Sequence, residues 1–167
     1  GMFLAKVEEI ESDSSLGSDS NQGYRFTFRY RIRGIPLILG NKEVGEYIQM
    51  EVFNNQIKSY KHFARREMEM NLTSTVEGRK MLTSNDVIDR NYDFLEERYL
   101  QSKNLTKEQV GENILQEVLS TIDDITLSYY DPCLKDKDEK LIGVWAIKAD
   151  DKLYAFDAYT GTLVFER

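Results

Sequence analysis

Residues 141–166, LIGVWAIKADDKLYAFDAYTGTLVFE, constrain the chain most. Three short apolar runs, 142–149, 153–158 and 162–165, are separated by Asp150-Asp151-Lys152 and by Ala158-Tyr159-Thr160-Gly161. Strand runs spaced this closely predict an antiparallel meander. Gly161 supplies the positive φ that a tight turn needs, and Asp157 and Thr160 can hydrogen-bond to backbone groups across it. No catalytic motif lies in this stretch.

The clearest period-2 signal is at 24–33. Tyr24, Phe26, Phe28, Tyr30 and Ile32 fall on one side, and Arg25, Thr27, Arg29, Arg31 and Arg33 on the other. The aromatic side is expected to face a core. The arginine side has two readings. The guanidiniums could pair across strands with Glu8, Glu46 or Glu51, or lie solvated. Alternatively, Arg25, Arg29, Arg31 and Arg33 could form a docking strip for a carboxylate- or phosphate-bearing partner, since the guanidinium fork binds both groups bidentately.

Further strands are expected at 3–10, 37–40, 46–53, 56–63 and 123–130. Residues 12–23 read as an exposed hairpin loop, and Asn54-Asn55 is a hairpin signal. The pattern at 64–80 is mixed. Ser84 is the expected N-cap of a helix to about 102, with Val87, Ile88, Tyr92, Leu95 and Tyr99 as its buried stripe. Thr106 and Gln109 form a capping-box pattern opening a second helix to about 120, which presents Val110, Ile114, Leu115, Val118 and Leu119. The expected fold class is α+β: antiparallel sheet at both ends of the chain, with a helix pair at 84–120 packed on one sheet face. Trp145, Tyr154, Phe156, Leu127, Leu95 and Leu115 are the expected core. At 167 residues the chain fits a single domain, with related sub-repeats at 2–80 and 83–167 as a possible subdivision.

Composition narrows the function. The net charge of −7 argues against non-specific binding to nucleic acid or acidic membranes. Cys133 is the only cysteine, which excludes an intrachain disulfide and a zinc site built on two cysteines. There is no run of about 18 apolar residues, so no membrane span is expected. His62 is the sole histidine. No serine or cysteine sits in a recognisable nucleophile elbow, and no glycine-rich phosphate loop occurs. Asp123-Asp124, Asp136 with Asp138, and Asp150-Asp151 read as turn or cap residues. The acids of 12–23 match no calcium loop. The expectation is a binding domain, not an enzyme, with no catalytic residue, metal or cofactor.

Several segments taken together are similar to the YycH/YycI family, with a PepSY-type carboxy-terminal module. Phe28-Arg29-Tyr30 leading to Gly34-Ile35-Pro36-Leu37 resembles an aromatic strand followed by the turn pattern G-[IY]-P-[LV]. Asn55-Gln56-Ile57-Lys58-Ser59-Tyr60 resembles a strand ending I-x-S-Y, and Ile125-Thr126-Leu127-Ser128-Tyr129-Tyr130 resembles I-x-L-x-Y. Residues 141–147 resemble L-x-P-x-W-x-[IV], with Gly143 standing where that pattern has proline. Residues 154–161 resemble Y-Y-[VF]-[DN]-A-x-[TD]-G. The resemblance spans 24–166 and rests on the order and spacing of the motifs.

It implies an extracytoplasmic, non-catalytic accessory protein of Gram-positive bacteria, anchored by one membrane helix. Its implied partner is a membrane sensor histidine kinase that controls cell-wall metabolism, or another envelope protein. It also implies Trp145 as a core plug and Asp157 with Gly161 as turn formers. The alternative is a PepSY-like inhibitory module that binds a peptide or a secreted peptidase.

Overall fold

The alternation around Tyr24 forms β2 (Gln22–Ile32), flanked by antiparallel partners on both sides. The computed structural model describes residues 1–11, 22–40, 48–62, 79–133 and 140–167. Of the expected loop at 12–23, residues 12–21 lie outside the described residues and Gln22 and Gly23 belong to β2; most of 64–80 also lies outside them, as do Glu46, Asp136 and Asp138. The chain divides into two units, Gly1–Ser74 with Asp131–Glu139, and Thr75–Tyr130 with Lys140–Arg167. The architecture is α+β, with antiparallel strands and three α-helices among the described residues.

In the first unit, β1 (Met2–Glu11) pairs with one edge of β2 and β4 (Ile48–Phe53) with the other, while β5 (Gln56–His62) lies outside β4. Two tight hairpins set the registers. Arg33 and Gly34 take φ of 50° and 87° between paired Ile32 and Ile35, where β3 (Ile35–Leu39) begins. Asn54 and Asn55 take 49° and 61° between paired Phe53 and Gln56. Positive φ at both central positions is the turn geometry whose twist matches that of the strands. Gly23 meets a separate demand: a Cβ there would lie 2.4 Å from the Phe53 ring. The ring therefore closes directly onto β2 backbone.

The second unit is the predicted meander with helices on one face. β6 (Ile122–Asp131), β7 (Ile142–Ala149), β8 (Lys152–Asp157) and β9 (Leu163–Glu166) pair in chain order. Asp157 Oδ1 accepts from the amides of Tyr159 and Thr160, both at 2.8 Å, and Gly161 has φ of 76°. These are the turn roles read from the sequence. Val87, Leu95, Val118, Ile147, Tyr154 and Phe156 form the buried cluster. Phe94 meets Tyr154 and Phe156 edge-on, with ring centroids 5.4 and 6.0 Å away, the arrangement favoured by the aromatic quadrupole.

The helices depart from expectation. Thr83, one residue before the expected Ser84, is the N-cap of α1 (Ser84–Arg90). Its side chain accepts from the Asp86 amide, and Asp86 accepts from the Thr83 amide. The single helix expected to 102 is broken at Asn91 and resumes as α2 (Tyr92–Lys103). The Asn91 side-chain amide donates to the carbonyls of Val87 at 2.9 Å and Gly161 at 2.8 Å, tying the break to the β8–β9 turn. The second expected helix is a 3-10 turn at Lys107–Gln109, with its capping box present, followed by α3 (Ile114–Ser120). Gly111 lies between these two pieces, where its weak helix propensity is least costly.

Leu115, expected in the core, is 53% exposed, and Leu119 is exposed as well. α3 is about two turns long and sets Ile114 and Val118 toward the core, which leaves Leu115 and Leu119 on the outer side. Trp145 and Leu127 are half-buried rather than buried. Trp145 Nε1 donates to the Leu82 carbonyl at 3.0 Å, so the ring also fastens the approach to α1.

Candidate interaction surface

Cross-strand register sorts the first unit's side chains onto two faces, because directly paired residues project to the same side. One row runs Val7, Phe26, Met50, Tyr60. A second runs Leu4, Phe28, Ile48, His62, and a third Glu9, Tyr24, Val52, Ile57. Met2 faces Tyr30 at the end. This is the face the sequence assigns to a core, and the structure corrects that assignment. Tyr24 is 47% exposed, Tyr60 58% and Ile57 63%, with Met2, Leu4 and Val7 also exposed. Phe26, Phe28 and Tyr30 are half-buried by their strand neighbours. On the arginine side Thr27 is buried, at 2%, as is Gly23. Strands about 4.8 Å apart and rows about 6.8 Å apart give the apolar face an extent of roughly 300–400 Å². That is the size at which an exposed patch on a monomer is often functional.

The opposite face carries Arg25, Arg29 and Arg31. Arg25 sits opposite Glu51, with Nε 2.9 Å and Nη2 2.8 Å from Glu51 Oε1. This is the cross-strand pairing that the sequence offers as one of its two readings. Lys6 reaches Glu8 at 2.6 Å, which holds the Glu8 carboxyl below its usual range. The Arg31 guanidinium stacks over the Phe3 ring, 5.4 Å from its centroid, and the Lys58 ammonium lies 5.9 Å from that of Phe53. Arg33 does not join the strip. β2 ends at Ile32 and Arg33 occupies the hairpin turn, because two residues of positive φ are needed there. The strip is thus three arginines, with Arg25 already engaged by a carboxylate.

Two bulges hide the apolar face from a period-2 reading. The pairing shifts between Leu4 and Lys6, and again between Glu51 and Val52. Ala5 and Lys58 are thereby left without a directly opposed partner. Each extra residue lets side chains three apart, Leu4 and Val7 or Ile57 and Tyr60, project to the same side. The available signal is this three-residue spacing of large apolar residues in two strands that neighbour an aromatic one.

Other residues of chemical interest are dispersed. His62 is exposed on β5, its ring 6.1 Å from that of Tyr60. Cys133 is half-buried, and its amide donates to Asp131 Oδ1 at 2.9 Å. Asp124 accepts from Thr126 at 2.7 Å, and Lys148 lies 3.8 Å from Asp123. Among the described residues no group of three or more His, Cys, Asp or Glu is placed to hold a metal, and no helix is long and apolar enough to cross a membrane. The second unit has a cleft of about 290 Å³ between α2 and the meander, with Arg98, Lys152 and Tyr154 in its lining. Burial, and then the nearby Glu166 carboxylate, raises the Tyr154 phenol above its ordinary value.

No family model, curated protein or solved structure matches the chain.

Proposed function

We propose that this chain is a non-catalytic accessory domain that binds another protein through the apolar face of the β1–β2–β4–β5 sheet. The observation that carries the reading is the exposure of Met2, Leu4, Val7, Tyr24, Ile57 and Tyr60 on that face. Leaving such a set in water forgoes about 1.5–3 kcal/mol for each large side chain that a partner could cover. Glu9 is the only acid in the three rows, so the complementary surface is apolar and low in charge. Aromatic residues at the middle of such a patch are the side chains that most often dominate binding energy.

The finer reading follows from the motif order at 24–166. In its parent protein the domain modulates a membrane sensor histidine kinase from outside the cell. Co-purification from membranes of the native host tests it. The native protein is expected to bring down a sensor histidine kinase, and a Val7→Glu/Tyr60→Glu variant of unchanged melting temperature is expected not to. Equal recovery with both would remove the face from the account. Recovery of only a second copy of the chain would replace the accessory role with self-association.

A further inference from the structure

The cleft of the second unit lies outside the proposed docking face. Its helical wall is a stripe of α2, Leu95, Arg98, Tyr99 and Ser102, at the spacing that puts side chains on one helix face. Its sheet wall comes from Lys152 and Tyr154 of β8, two residues apart on one face, with Glu166 of β9 opposite Tyr154. Val118, Ile122 and Ala149 complete an apolar floor.

Three polar groups in this lining have no protein partner among the described residues, and all three can donate. The Arg98 guanidinium uses Nη1 on Gln101 at 3.0 Å and Nη2 on Glu166 at 3.1 Å, and stacks on Phe94 at 4.9 Å. Its Nε is buried without an acceptor. Tyr154 is 4% exposed as a residue; its hydroxyl is not among the buried unmet groups, and among the described residues it makes no hydrogen bond within the protein. Lys152 is exposed and makes no ion pair among the described residues. A buried N–H left unmet costs about 1–3 kcal/mol, and such a group in a native fold calls for an explanation. Both acids of the lining, by contrast, already face cations. Glu166 meets Arg98, and Asp150 lies 3.9 Å from Lys103. The cleft therefore has unused donors, an uncompensated ammonium and an apolar floor.

We infer that this cleft binds a small organic monocarboxylate, with the carboxylate received by the Lys152 ammonium and the Tyr154 hydroxyl beside the Arg98–Glu166 pair, and the carbon chain laid on Leu95, Val118, Ile122 and Ala149. A volume of about 290 Å³ is at the small end of ligand sites, which suits a short aliphatic or single-ring acid. The carboxylate accepts hydrogen bonds and carries the single negative charge that offsets Lys152.

The test is a backbone-amide NMR titration of the full chain with hexanoate, and with hexan-1-ol and hexylamine as probes of the same chain length. Hexanoate is expected to give saturable shifts confined to 95–102, 118–122, 149–154 and 166. Hexan-1-ol and hexylamine are expected to bind at least about 10-fold more weakly, as loss of a charge-assisted hydrogen bond implies. Tyr154→Phe keeps the ring contacts, and Lys152→Met changes an exposed side chain. Each is expected to weaken hexanoate about 10-fold with the melting temperature held. No saturable shift up to about 10 mM, a Kd corresponding to only weak binding, would overturn the inference. So would hexylamine binding as tightly as hexanoate, or unchanged affinity in both variants.

Discussion

Gly23 and Phe53 show how one missing methyl group sets a strand's packing. The Phe53 ring occupies the space a Cβ at Gly23 would need, with three ring carbons within 2.8 Å of that position. Gly23→Ala is therefore expected to destabilise the first unit by about 1–3 kcal/mol, the range for overpacking, as measured by urea denaturation. Phe53→Leu in the same background should recover part of the loss by vacating the site. Asn91 is the corresponding single residue of the second unit. Asn91→Ala removes donors from the carbonyls of Val87 and Gly161, and is expected to cost about 1–2 kcal/mol. A hydrogen-exchange readout should place the loosening at the β8–β9 turn. Trp145 is half-buried, so Trp145→Ala should fall below the 3–5 kcal/mol typical of a fully buried ring. Asp86 supplies a pH test. Hydrogen bonds from the Thr83 side chain and backbone hold its carboxyl below the usual range. The resulting stabilisation is present above the unfolded-state value and is lost as pH falls through the folded-state value. Thr83→Ala is expected to raise the Asp86 carboxyl toward its ordinary value, which carboxyl-carbon NMR reads directly.

At the scale of elements, what could be read depended on how local the cause was. The closing meander, the Asp157–Gly161 turn and the Asn54-Asn55 hairpin follow from turn chemistry a few residues long, and each is found at its expected place. The helices were harder. Asn91 and Gly111 sit inside apolar periodicity that continues across them, and the break at Asn91 depends on a carbonyl 70 residues away. Leu115 follows the helical stripe in the sequence, but α3 faces the core with Ile114 and Val118, and Leu115 and Leu119, one position further round the helix, stay outside. The aromatic strand misled for a related reason. Alternation separates two faces but does not say which one is covered, and here the aromatic face keeps Tyr24, Ile57 and Tyr60 exposed. The arginine strip was legible as far as Arg31. Arg33 lies beyond it because turn geometry outranks alternation at a hairpin. The Arg25–Glu51 pair is partly exposed, so a double-mutant cycle with Arg25→Gln and Glu51→Gln should give a coupling of no more than about 1 kcal/mol. A larger value would mean that the pair anchors the sheet.

For the molecule as a whole, the two units carry two different surfaces. The first offers a broad apolar sheet face on a chain of net charge −7, and the second a small cleft with unused donors. Nothing in the alternation of β1 or β5 alone announced the first surface, because the bulges at Ala5 and Lys58 displace their apolar residues from strict period 2. It emerges only when four strands are laid side by side in register. Site-specific photo-crosslinking in the native host from two adjacent positions of β5 tests whether the apolar face is the docking face. A photo-reactive phenylalanine at Tyr60 projects from the apolar face, and one at Lys61, opposite Gln49, from the other. A discrete heterologous adduct containing a sensor histidine kinase is expected from position 60 and none from position 61. Adducts of equal yield from both positions, or from 61 alone, would contradict it.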